Sequence, residues 1–221
     1  MKDDICYLIK FGAKKHMLDL FENGNLYLNT LDYFKNLEEK GNRADKLETA
    51  IANKVFKEKD NYTLTIKLKE EIKFKIVDAN LTQYQEFQGN LFCLYSIKLD
   101  DILNNNYKID ARVLEDENYS YSVLITNVSE FLSRVAKELE KREINFSWKL
   151  IKYYNPNKDN KNLTVFNKSN EFDFQKEFRI VVKNLKKKEL ILNIGNLKDI
   201  ATLNRTEILR DLKIEYIKDV S

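Results

Sequence analysis

The sequence predicts an α+β fold: one domain over residues 1–221, built on a mixed, mainly antiparallel sheet with a few flanking helices. Three observations carry this. Stretches with strand-like alternation, or with a continuous run of β-branched and aromatic residues, outnumber stretches of helical period. The two kinds are interspersed without the regular alternation that builds a doubly wound parallel sheet. A chain of 221 residues, 43% hydrophobic and 33% charged, can bury a sizeable core and suits one domain.

Residues 5–11 are apolar, β-branched and aromatic with Lys10 inside, which reads as a buried strand ended by Gly12. Residues 13–23 read as a helix turning Met17, Leu20 and Phe21 inward, with Asn23-Gly24 as its C-cap. Residues 26–28 form a short strand, and Thr30 N-caps a short helix carrying Leu31, Phe34 and Leu37. Residues 38–48 are polar and aperiodic, a loop. Residues 62–68 and 71–77 alternate cleanly around Lys69-Glu70, a hairpin expected to form one face of a half-exposed sheet. The continuous apolar run at 91–97 is a central strand, and 121–126 is another. Val128, Phe131, Leu132, Val135 and Leu139 make one stripe of the best helix. Residues 146–154 alternate as a strand, 155–162 form a surface loop around Pro156, and 178–182 and 190–194 are late strands. A helix is expected at 202–212 and a last strand at 214–217.

Scarcity excludes several chemistries. One His, His16, and two well-separated Cys, Cys6 and Cys93, leave no Cys/His zinc set, and five Gly leave no phosphate-binding loop or dinucleotide turn. A net charge of +3 gives no reason to expect nucleic acid. The first residues lack the apolar core of a signal peptide, no apolar run is long enough to span a bilayer, and both Cys sit in apolar runs. The expectation is a cytoplasmic protein with reduced thiols and no membrane contact.

Four groups of residues could carry chemistry. Gln175, Glu177 and Arg179 share one face if their segment is a strand. An ionised Glu177 beside Arg179 could hold a sugar hydroxyl or stabilise a developing cation; an edge-strand ion pair has the same pattern. Arg43, Asp45 and Glu48 lie in the polar loop, where Arg43 suits a phosphate or carboxylate and where solvated charges would look alike. Lys10 inside an apolar strand needs a carboxylate, and Glu177 is the natural candidate. Ser96 ends the central strand, either to orient a ribose hydroxyl or to cap the next segment.

The segments YLIKFG, KKHMLDLFENGNLYLNTLDYF, RADKLE, LFCLYSI, IKYYN and FNKSNEFDFQKEFRIVV together resemble a family of uncharacterised bacterial and phage proteins that close on a "QkEyRi" strand. The resemblance runs over residues 5–200. More distantly, a basic first strand, a Ser-bearing middle strand and a late Q-x-E are similar to NAD-dependent ADP-ribosyltransferases. That resemblance implies an ADP-ribosyltransferase-like fold with NAD as substrate and no metal. It would have Glu177 hold a nicotinamide-ribose hydroxyl and support an oxocarbenium-like transition state, while Gln175 handles the acceptor. Ser96 would match the middle-strand Ser, Lys10 would stand where Arg or His binds the dinucleotide, and Arg43 and Arg179 would help position substrate. Two departures stand against it: Lys10 lacks the planar fork of Arg, and Tyr95-Ser96 replaces a Ser-Thr-Ser triplet. The phage resemblance implies the alternative, a non-enzymatic protein that binds and inhibits a host defence protein. That reading predicts an exposed apolar or charged patch.

Overall fold

The computed structural model describes residues 4–31, 33, 47, 49–67, 69, 71–103, 107–184, 186, 188–212 and 214. In chain order its elements are β1 (Ile5–Gly12), α1 (Lys14–Asn23), β2 (Asn25–Thr30), β3 (Ala50–Lys57), β4 (Thr63–Lys67), β5 (Glu71–Lys75), β6 (Asp78–Tyr84) and β7 (Gly89–Lys98). Beyond these come α2 (Leu99–Leu103), α3 (Ala111–Leu114), β8 (Tyr121–Ile125), α4 (Val128–Lys141), β9 (Phe146–Leu150), β10 (Lys152–Tyr154), β11 (Asn167–Ser169), β12 (Glu177–Lys183), β13 (Leu190–Asn193) and β14 (Ala201–Arg205). The fold is α+β with mainly antiparallel pairing; β10–β11 is parallel.

The long β7 organises the main sheet. One of its edges pairs with β12, which in turn pairs with β9. Its other edge is shared: the end from Tyr95 to Lys98 pairs with β1, and the start at Asn90–Leu91 pairs with β2. From there the sheet divides into two arms, β1–β8–β14 and β2–β13. In the gap between the arms the Cys93 carbonyl has no strand to bond, and the Lys10 ammonium donates to it at 2.8 Å. The same ammonium lies 4.5 Å from the Phe92 ring centroid. A buried carbonyl left without a donor there would be costly, so Lys10 closes the fork.

Two layers cover the sheet. On one face Leu8, Phe92, Leu94, Val123, Ile125, Phe178, Ile180 and Val182 pack with Met17 and Leu20 of α1 and with Phe131, Val135 and Leu139 of α4. The stripe read from the sequence is therefore the buried face of α4, N-capped by the Asn127 side chain accepting from the Glu130 N–H. Helix α1 ends where Gly24 turns left-handed at φ 67°. On the other face Ile9, Phe11, Tyr95 and Ile97 meet Ile102, Ile109, Val113 and Leu209.

Several expectations are corrected. Residues 201–205 are strand, not helix, and only 206–211 coil, as a 3-10 turn. The ladder that β14 forms with β8 outweighs the weak helical pattern of TLNRTEILRDL. The strand expected at 146–154 breaks at Ile151 into β9, on the main sheet, and β10, which pairs β11. The 62–77 hairpin forms with the expected partners but stands off the main sheet, and every residue of β4 and β5 is exposed. The segments expected as a helix at 31–37, a loop at 38–48 and a strand at 214–217 lie largely outside the described residues.

Candidate functional site

Strand β12 lies between β7 and β9, so Glu177 through Val182 are all buried. Alternation sends Phe178, Ile180 and Val182 toward the helices and Glu177, Arg179 and Val181 to the opposite face. Glu177 is 5% exposed and Arg179 1%. Arg179 Nε donates to Glu177 Oε1 at 2.7 Å, and Lys168 Nζ reaches Oε2 at 3.2 Å. Lys168 Nζ also donates to Gln175 Oε1 at 2.8 Å, while Arg179 Nη1 donates to the Val165 carbonyl. The Tyr153 hydroxyl accepts from the Glu177 N–H at 2.9 Å. Cys93 is the cross-strand neighbour of Arg179.

The electrostatics stem from that enclosure. Burial alone would raise the Glu177 pKa; Arg179 first and Lys168 second outweigh it and hold the carboxyl well below the usual carboxylate range. Burial, helped by the Glu177 charge, pushes the Cys93 thiol up to about 12. Burial raises the Tyr153 hydroxyl as well. The result is an ionised carboxylate with a cation on each oxygen. It fastens the 165–177 segment to the sheet.

Lys168 joins Gln175 to Glu177, and Glu177 bonds Arg179, although Gln175 sits in the 3-10 turn Asn170–Gln175 rather than in the strand. Ser96 is 1% exposed. Its Oγ donates to the Lys176 carbonyl at 2.6 Å, pinning the left-handed residue that precedes Glu177. Lys10 donates to the Cys93 carbonyl, and Glu177 draws its cations from Arg179 and Lys168 instead. Arg43, with Asp45 and Glu48, lies outside the described residues. His16 is exposed on α1, edge-on to the Tyr27 ring at 6.0 Å. Sequence reasoning missed Lys168, Cys93 and Tyr153. Lys168 sits in the polar stretch FNKSN, which has no period to betray burial; only the fold-back of 170–176 brings it onto Glu177.

A cleft of about 350 Å³ opens elsewhere, between Tyr119, Tyr121, Arg205, Thr206, Glu207 and Arg210, and none of the expected site residues lines it. Among the described residues no group of three His, Cys, Asp or Glu stands close enough to hold a metal ion, and no helix is long and apolar enough to cross a membrane.

The second candidate is the ribbon of β3 to β6. Its base is anchored: Asn53, 3% exposed, donates to the Pro156 and Lys158 carbonyls, and Asn160 pairs with it in return. Its outer half is exposed, with no covering element among the described residues. Leu64 stands opposite Phe74 and Ile66 opposite Ile72, four apolar side chains on one face at 41–52% exposure. Thr63, Thr65, Lys67, Glu71, Lys73 and Lys75 take the other face. Elsewhere on the ribbon Val77, Leu81 and Tyr84 are exposed as well.

Comparison with protein-family models, with curated proteins and with solved structures finds no match for this chain.

Proposed function

We propose that this protein works by binding another protein, and that the outer ribbon is its grip. One observation carries the reading: Leu64, Ile66, Ile72 and Phe74 form an alternating apolar face that nothing in the described chain covers. Such alternation is the signature of a face meant for burial, and exposed apolar patches of a few hundred Å² mark interaction surfaces. The groups that an enzyme would need are by contrast engaged within the protein: Ser96 with the Lys176 carbonyl, Lys10 with the Cys93 carbonyl, and both Glu177 oxygens with cations. The resemblance to phage proteins supplies the partner class, a host protein. The test replaces Leu64, Ile66, Ile72 and Phe74 by Thr, which keeps strand propensity. The expected result is loss of a partner held by the wild-type chain, with the thermal midpoint of the body unchanged. Retention of that partner refutes the reading.

A second reading, ADP-ribosyl transfer from NAD on an ADP-ribosyltransferase-like fold, is favoured by one arrangement. Gln175 and Glu177 share the Lys168 ammonium, and Ser96 is bonded to the residue between them. In that reading Glu177 would stabilise the cationic transition state. Incubation with labelled NAD tests it. NAD consumption that survives Glu177→Gln, or no consumption at all, ends it.

A further inference from the structure

We infer that the outer edge of β4 pairs with the same edge of a second copy, forming a four-stranded antiparallel sheet about a two-fold axis at Thr65. The inference goes beyond the partner-binding reading; its size argument rests on that reading, and its register argument does not.

The register sets the geometry. The Ile76 N–H bonds the Tyr62 carbonyl at 2.9 Å, so 62 and 76 are a hydrogen-bonded pair. By alternation Leu64–Phe74 and Ile66–Ile72 are too, which turns the N–H and C=O of Thr63, Thr65 and Lys67 outward. A second β4 laid antiparallel on that edge puts Thr65 opposite Thr65, Thr63 opposite Lys67 and Leu64 beside Ile66 of the other copy. Every outward backbone group then finds a partner, and no like charges meet.

Sequence chemistry selects this edge over its neighbour. Strand β4, Thr-Leu-Thr-Ile-Lys, has high strand propensity and no Pro, Gly, bulge or internal charge, so it lacks the devices that protect an edge. Strand β5, Glu-Ile-Lys-Phe-Lys, carries a charge at alternate positions and would set Lys73 against Lys73. Size argues the same way. Four side chains about half exposed present on the order of 350 Å² per hairpin, well under the roughly 800 Å² each partner gives a standard interface. Pairing joins two such faces into one, and it relieves the marginal stability of an isolated two-stranded hairpin.

Sedimentation velocity on the full chain from about 1 to 100 μM tests this. A concentration-dependent dimer is expected. Thr65→Pro removes an outward N–H and leaves the β4–β5 ladder intact, and it should leave only monomer. Lys73→Pro, the same change on the β5 edge, should leave the dimer. Thr65→Lys and Thr65→Glu should each be monomeric alone and dimerise when mixed. A chain that stays monomeric throughout, or a dimer that persists in both Thr65→Pro and Thr65→Lys, overturns the inference.

Discussion

Replacing Glu177 by Gln tests the buried charge cluster most directly. The change keeps the side chain's size and an acceptor oxygen but deletes a negative charge that Arg179 and Lys168 contact at 2.7 and 3.2 Å on its two oxygens. The side chains of Lys168, Glu177 and Arg179 are only 6, 6 and 2% exposed, so water cannot take over. Breaking a buried pair of this kind costs about 3–5 kcal/mol, and the retained amide oxygen places Gln toward the lower end, about 3 kcal/mol. For a chain of this length that lowers the thermal midpoint by roughly 6–12 °C. The pH dependence adds a second readout. Because the folded pKa is depressed, the carboxylate's contribution is fully present above the unfolded value near 4.5 and is lost as pH falls below it. The wild-type advantage over Glu177→Gln should hold from pH 7 to about 5 and shrink below that. Urea unfolding of both proteins across this range decides it. A loss under about 1 kcal/mol at pH 7 refutes the claim that the carboxylate pairs with enclosed cations.

Four further outcomes are expected. Lys10→Met removes the donor to the Cys93 carbonyl and should cost about 1–3 kcal/mol in urea unfolding, without moving the Glu177 pH dependence. Gly24→Ala should cost about 3 kcal/mol, because φ is 67° and a Cβ would fall 1.8 Å from the Gly195 carbonyl oxygen. Gly195→Ala, at φ 78° with nothing within 4 Å, should cost only about 1 kcal/mol in the same measurement. Iodoacetamide at about pH 8 should label Cys6 well ahead of Cys93, whose thiol is held near 12, as peptide mass mapping would show; urea should equalise them.

The sequence was informative where one physical signal dominates a segment. The α4 stripe, the β7 apolar run and the β4–β5 alternation each match the structure, because burial on one face imposes a period. It misled where pairing decides. Residues 201–205 carry no strong strand pattern and become a strand because β8 offers an edge. β3 and β6 went unread: residues 51–57 alternate poorly, and β6 is polar at most positions. At the site, Glu177 and Arg179 share a face as alternation requires, yet the pattern cannot say whether that face opens to solvent. Their enclosure depends on Val165 and Lys168, which a 3-10 turn returns to the strand, and on Cys93 across the ladder. Glu177, expected beside Lys10, takes Arg179 and Lys168 instead, while Lys10 also donates to the Cys93 carbonyl at a fork in the sheet, a contact with no counterpart in sequence pattern.

The ribbon's place in the connectivity has a consequence of its own. It leaves the body after Thr30 and returns before Gly89, and Thr30 and Asn90 are direct antiparallel neighbours. A two-residue hairpin could close that gap without altering the strand order around β7. The insertion is tied to the body at Leu31, Ile51 and Asn53, so the exchangeable part is the β4–β5 hairpin beyond that base. Its tip can be exchanged or lengthened while the sheet, the α1–α4 layer and the Glu177 cluster inherit no change in register.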